Sequence, residues 1–158
     1  MNAREVAALP PDRREAFHRS AEERIATHRF VSPPPDGSPK AFTSVAKTPL
    51  LRVTVQTIRS GGENNLHYHL NQDTTWLVLR GRVRFYGPGD ALIAELGVHE
   101  SITIPGGARY WFEKTGDEDV DLLQVVAYDR GSGDAQRVNL DAHKAWMERS
   151  ELQVYEST

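Results

Sequence analysis

The sequence has no cysteine, which excludes disulfides, thiolate-held zinc, iron–sulfur clusters and a cysteine nucleophile together. Any protein-bound metal would have to use histidine, carboxylate, tyrosine or backbone oxygen. Long apolar runs are also missing: none approaches the ~20 residues a membrane-spanning helix needs. Met1 to Pro10 carries charge at Arg4 and Glu5 and lacks the apolar core of a signal peptide. No membrane partner is expected, and a cytoplasmic location is the default. Nor is there an excess of positive charge. Nineteen basic against 22 acidic residues give a formal −3 and a pI near 6.1, so nothing draws the chain to phosphate backbones and no nucleic-acid partner is expected.

The 158 residues include 12 glycines, 9 prolines and six histidines. That length suits one domain with a core large enough to stand without staples. Three stretches differ in texture. Residues 1–41 comprise an N-terminal helix and a proline-rich connector. Within them, Pro10 to Arg29 is charged and rich in helix formers, with Pro11 suited to a first turn and Asp12 and Glu15 near the positive end of the helix dipole. Phe17, Ala21 and Ile25 form a narrow apolar stripe suited to packing on another surface. Pro33, Pro34, Pro35 and Pro39 around Asp36-Gly37 make a stiff, extended link.

Residues 42–130 read as strands and turns. Leu50–Ile58, Trp76–Leu79, Arg82–Tyr86, Leu92–Ile93, Ser101–Ile104, Tyr110–Glu113 and Val120–Tyr128 are separated by glycine, proline and aspartate signals such as Gly87-Pro88-Gly89-Asp90. Short strands with turns every ~8–12 residues predict an all-β sandwich or barrel. Residues 131–158 form a tail, with a short helix expected over Leu140 to Glu148.

The chemistry concentrates after Gly61-Gly62. His67 and His69 stand two apart, so on a strand both imidazoles share a face. On the inside of a small barrel they could converge on a metal, with Asp73 four residues further on. Two histidines and a carboxylate with open positions is the ligand set of non-haem Fe(II) oxygenases, and manganese, nickel or zinc suit related sets. A His-x-His pair is also compatible with a surface pair or a hydrogen-bonded core pair.

The surrounding glycines extend the pattern, and with them the stretch from Leu50 to Tyr128 resembles the cupin superfamily. Its first motif reads glycine, five residues, His-x-His, three or four residues, an acid, six residues, glycine; Gly61, His67, His69 and Gly81 fall in register. The second reads glycine, five residues, Pro-x-Gly, two residues, histidine, three residues, asparagine; Pro105 and Gly107 match. The resemblance implies a single-domain double-stranded β-helix, or jelly-roll, barrel that assembles as a homodimer.

Four positions depart from that pattern. Thr74 stands at the spacing of the usual glutamate, Tyr110 at the usual histidine, Lys114 at the final asparagine and His99 at a glycine. Asp73 satisfies the shorter spacing from His69, but neighbours on a regular strand point to opposite faces, so Asp73 and Thr74 cannot both face inward. Only a bulge or loop would turn Asp73 to a metal; otherwise it is a turn residue binding a backbone N–H. Tyr110 either completes the metal site as an uncommon phenolate ligand, which requires loss of a proton with an ordinary pKa of about 10, or lines an aromatic pocket, or supplies a hydroxyl as donor or acid. His99 reads as a surface turn residue, and His18, His28 and His143 as solvated.

Gln56, Trp76, Phe85, Arg109, Trp111 and Gln124 are candidates to line a substrate pocket. Arg52, Arg84 and Arg109 are arginines able to grip a carboxylate with two parallel hydrogen bonds. Three functions follow. The first is a metal-dependent enzyme on a small organic molecule, an Fe(II) oxygenase holding a divalent metal on His67, His69 and Asp73. The second is a Lewis-acid isomerase or lyase with Tyr110 as proton donor. The third is a non-catalytic cupin that captures a small molecule.

Overall fold

The computed structural model describes residues 1–129, 136–142 and 154–157. Its strands arise where β-branched and aromatic residues alternate with polar ones, and they end where glycine, proline or aspartate break the ladder. In chain order they are β1 (Lys40–Lys47), β2 (Leu51–Ile58), β3 (His67–Leu70), β4 (Gln72–Arg80), β5 (Arg82–Tyr86), β6 (Leu92–Leu96), β7 (Ser101–Ile104), β8 (Trp111–Thr115), β9 (Val120–Tyr128), β10 (Gln136–Asn139) and β11 (Val154–Glu156). One sheet has the order β11-β1-β2-β9-β4-β7. The other is made of β10-β3 and β6-β5-β8, joined where His67 bridges Tyr110 just ahead of β8. Among the described residues all pairings are antiparallel except β1 with β11. The two sheets face each other as a jelly-roll barrel.

The tail contributes strands that three- and four-residue segments are too short to announce. The helix expected over Leu140 to Glu148 falls mostly outside the described residues, as does His143; Leu140 and Asp141 form a bend. At the other end, α1 (Ala3–Ala7) is closed by a capping box between Asn2 and Glu5, and α2 (Pro11–Glu22) starts at a proline. Neither helix buries a residue, so the Phe17–Ala21–Ile25 stripe does not pack on the barrel: Phe17 and Ile25 remain exposed.

The proline-rich connector lies along the outer wall and is pinned there. The Arg59 guanidinium donates to the carbonyls of Pro33, Pro34 and Ser38 at 3.0–3.1 Å. Ser32 donates to the buried Asp121 carboxylate, which also accepts from Thr57 Oγ1 at 2.7 Å and Arg80 Nε at 2.8 Å. Asp121→Asn keeps the shape and removes the charge that strengthens these bonds. It is expected to cost about 1.5–3 kcal/mol and to open the connector to limited proteolysis, read by urea denaturation and protease digestion.

The motif glycines answer to backbone geometry. Gly81 has φ +76°, and a Cβ there would lie 2.6 Å from the Asp119 carbonyl oxygen. At the position of another family glycine, exposed His99 adopts φ +70°, a left-handed conformation costly to a residue with a Cβ. His99→Gly is therefore expected to raise stability by up to about 1 kcal/mol, visible as a higher urea midpoint.

Along the inward face the barrel changes character from one end to the other. On β2 the inward positions run Ile58, Gln56, Thr54, Arg52; on β9, Val120, Leu122, Gln124; on β4, Val78, Trp76, Thr74, Gln72, with Cα partners in register across the sheet. On the facing sheet Phe112 precedes Tyr110 and His67 precedes His69 along the same axis. One end is thus an apolar plug of Ile58, Val78, Val83, Phe85, Phe112, Val120 and Leu122. The other end is lined with amides, hydroxyls and imidazoles.

Candidate ligand site at the polar end of the barrel

Polar atoms buried in a barrel need partners, and several at this end have none. Gln56 Nε2 donates to Gln124 Oε1 at 3.4 Å and Gln72 Nε2 to Thr74 Oγ1 at 3.2 Å. Among the described residues, Gln56 Oε1, Gln72 Oε1, Trp76 Nε1 and the Tyr110 hydroxyl remain unpaired in the interior. The indole of Trp76 neighbours the Tyr110 hydroxyl, but the two do not close a hydrogen bond of ordinary geometry. Burial pushes the Tyr110 phenol up to about 12, opposed by Trp76, so at neutral pH it is protonated and able to donate. Two acceptors and two donors left unpaired on one inner surface call for a partner from outside the chain, because buried polar groups are nearly always satisfied by protein, water or ligand.

The imidazoles stand beside them. His67 is buried, its ring 4.5 Å from Tyr110 and 5.1 Å from His69 between centroids. The backbone fixes this juxtaposition: His67 N–H donates to the Tyr110 carbonyl at 3.1 Å, and Tyr110 N–H returns a bond to His67 at 2.9 Å. His67 Nδ1 lies 2.8 Å from the Asn65 carbonyl oxygen. A carbonyl can only accept, so the neutral ring carries its proton on Nδ1 and leaves the Nε2 lone pair free. Burial, then the charge of Arg137, lowers His67 to about 3. His69 is lowered to about 4 by burial, then by Arg137 and Arg52. Both rings are neutral at pH 7.

Arg137 is the main residue that sequence reasoning missed. Its strand, β10, pairs with β3 so that Arg137 lies opposite His69 and Asn139 opposite His67. Arg137 Nη2 donates to Asn65 Oδ1 at 2.6 Å and its Nε to Asn139 Oδ1 at 2.8 Å. Asn65, buried, also donates to Asn139 Oδ1 at 3.2 Å and to the Asp141 carbonyl at 3.0 Å. One asparagine therefore orients the guanidinium with its side chain and the His67 imidazole with its backbone. The Asn64-Asn65 pair just ahead of His-x-His was the available signal. Lys40 was missed as well: buried, it donates to Asn64 Oδ1 at 3.1 Å and sits 4.8 Å over the Phe112 ring. Burial holds its pKa well below the usual lysine range.

The structure gathers His67, His69, Tyr110, Trp76, Gln56 and Gln124 at this end, with Phe85 beneath in the apolar plug. It leaves out the others. Asp73 is exposed and its carboxylate accepts the Gly106 N–H at 2.9 Å. The bulge that could turn it inward is absent, since β4 pairs regularly with β9 from Gln72 to Val78 and shifts only beyond. Thr74 occupies the inward position instead, buried. Because Tyr110 faces in, its neighbours face out. Arg109 is exposed, and Trp111 stacks on Tyr86 at 4.3 Å and donates to Asp90 Oδ1 at 3.0 Å on the outer wall. Arg84 pairs with Glu95 on the same outer surface. Lys114, at the family's asparagine position, donates to the Gly116 carbonyl at 2.7 Å and closes the hairpin tip.

The donor set fits a metal only in part. His67, with its second nitrogen held by a carbonyl, has the arrangement usual for a metal-ligating imidazole. A third ligand does not follow. Among the described residues no three histidine, aspartate or glutamate side chains are placed to hold a metal ion. Thr74 is a neutral hydroxyl and Tyr110 a protonated phenol. The charges felt at the imidazoles come from Arg137, Arg52 and Lys40, which oppose a dication.

Two facing antiparallel sheets with a polar inner end define a double-stranded β-helix protein. Its fold is that of the cupin superfamily. Solved structures agree: a double-stranded β-helix protein from Klebsiella pneumoniae aligns with TM-score 0.60 at 22% identity over 75% of this chain and 93% of its own. An RmlC-like cupin from Desulfovibrio desulfuricans gives 0.56 at 20% over 66% and 97%. KdgF from a Halomonas species gives 0.51 at 16% over 66% and 90%. At these identities the likeness concerns the fold. No protein-family model matches the chain, and no curated protein does.

Proposed function

We propose that this protein is a small-molecule-binding cupin whose ligand enters the polar end of the barrel. The observation that carries the reading is the set of four unpaired interior atoms, Gln56 Oε1, Gln72 Oε1, Trp76 Nε1 and the Tyr110 hydroxyl. A bound molecule offering donors and acceptors would satisfy them, as ordered water would in its absence. His67 and His69 add neutral imidazoles to the wall, and the aromatic floor of Trp76, Phe85 and Phe112 suits an organic body. Tyr110 would donate to the ligand, which is the most that its protonated phenol offers near neutral pH.

A second reading, a metal-dependent cupin enzyme such as an oxygenase or lyase, is favoured by the Nδ1 contact that leaves His67 Nε2 available. One experiment separates the two. The protein is purified without added metal, its metal content is measured, and a panel of small organic molecules is screened by thermal shift after chelator treatment. The binding reading expects substoichiometric metal and stabilisation that survives the chelator. One equivalent of tightly held iron, manganese, nickel or zinc, with stabilisation lost on chelation, would establish the second reading.

A further inference from the structure

The mouth of this site carries two guanidinium groups with no ion-pair partner among the described residues. Arg137 reaches it from β10 on one sheet and Arg52 from β2 on the other, and both are felt at His69. Arg137 spends two of its N–H groups on Asn65 and Asn139. Its remaining N–H groups, and the whole Arg52 guanidinium, have no hydrogen-bond or ion-pair partner among the described residues. This contrasts with Arg59, Arg80, Arg82 and Arg84, which all pair with carboxylates. The concentration of cations is local, since the whole chain is formally −3.

A guanidinium is a planar fork that matches a carboxylate with two parallel hydrogen bonds. Holding that fork in place before binding lowers the ordering cost of the complex, and the Asn65–Asn139 brace does this for Arg137. Behind the two guanidinia lie the imidazoles, then the unpaired hydroxyl and amide groups, then the aromatic floor. The order of chemistry from rim to floor is cation, polar donors and acceptors, aromatic ring.

We propose that the ligand is a small organic acid, its carboxylate taken by Arg137 and Arg52 at the rim and its body directed toward Tyr110, Gln56 and Trp76. This rests on the small-molecule reading above and specifies the class of molecule. Inorganic phosphate shares the charge but has no body to fill the interior, so it should bind more weakly.

The test is calorimetric titration of the full chain at pH 7 with benzoate, its neutral isostere benzamide and inorganic phosphate. Benzoate is expected to bind at least tenfold more tightly than the other two, and high salt should weaken it. Arg137→Lys retains charge without the fork and should lose part of the affinity; Arg52→Ala should lose tenfold or more. Arg52 makes no hydrogen bond among the described residues, so its removal leaves the fold intact even if Arg137 variants lose the Asn65 brace. Equal binding of benzoate and benzamide, unchanged affinity in Arg52→Ala, or a preference for phosphate would overturn the acid assignment while leaving a small-molecule site standing. Binding of neither aromatic probe would overturn the acid assignment, and the chelator-treated screen then decides the binding reading separately.

Discussion

Phe112→Ala should cost about 3–5 kcal/mol of folding stability, the range for truncating a fully buried aromatic ring. Phe112 has no exposed surface and joins Trp76 and Phe85 at ring-centroid distances of 5.1 and 5.2 Å. Its loss leaves a cavity in the apolar plug and removes the ring packed beneath the buried Lys40 amine. For a domain this size each kcal/mol moves the melting temperature by about 2–4 °C, so a fall on the order of 10 °C is expected. Phe17→Ala on α2 is the matched control. Phe17 is 39% exposed and packs on no core, so its truncation should stay within about 0.5 kcal/mol. Calorimetry or urea denaturation of both variants reads the difference. A cost below about 1 kcal/mol for Phe112→Ala would remove the plug from its place as the stabilising centre of the barrel.

Acidification should destabilise the fold steeply through the two imidazoles. His67 is held at about 3 and His69 at about 4, against an ordinary value of 6.5. Below pH 6.5 the unfolded chain takes up protons that the folded chain refuses, so the unfolded state binds more protons and stability falls as pH falls. Their contribution is complete above pH 6.5 and is lost progressively down to the folded values, where the slope ends. Each imidazole accounts for up to about 1.4 kcal/mol per pH unit in that window. Carboxylate protonation adds to acid loss near its lower end, which a His67→Asn/His69→Asn variant separates. Urea midpoints from pH 7 to pH 4.5 should fall for the parent chain and much less for the variant. Parallel curves would show that the imidazoles are freely charged and solvated.

The strands that form the barrel wall were legible because their residues alternate and their ends carry turn chemistry. β2, β4, β5, β7, β8 and β9 overlap the expected runs Leu50–Ile58, Trp76–Leu79, Arg82–Tyr86, Ser101–Ile104, Tyr110–Glu113 and Val120–Tyr128, with β4 beginning earlier, at Gln72, and β8 running from Trp111 to Thr115. β10 and β11 were not, since Gln136–Asn139 and Val154–Glu156 are too short to show a period and exist through pairing with β3 and β1. The site divides the same way. His67 and His69 declare a common face through their spacing. Arg137 lies 72 residues from Asn65 along the chain, and no local pattern announces a contact made by strand pairing. Asp73 had suitable spacing and the wrong parity, because period-two geometry sends it outward once Thr74 faces in. Arg109 and Trp111 attracted attention by residue type, and the same parity, counted from Tyr110, sends both to the outer wall. Parity was readable in the sequence; the partner strand was not.

A ligand held at the polar end of the barrel can be located directly by nuclear magnetic resonance. Benzoate titrated into isotope-labelled protein should shift the imidazole signals of His67 and His69, the side-chain amides of Gln56 and Gln124 and the Trp76 indole N–H, with little change at Trp111 on the outer wall. Shifts confined to Trp111, to the Asp121 cluster under the connector, or to the surface between α2 and the β1–β2 hairpin would contradict that location.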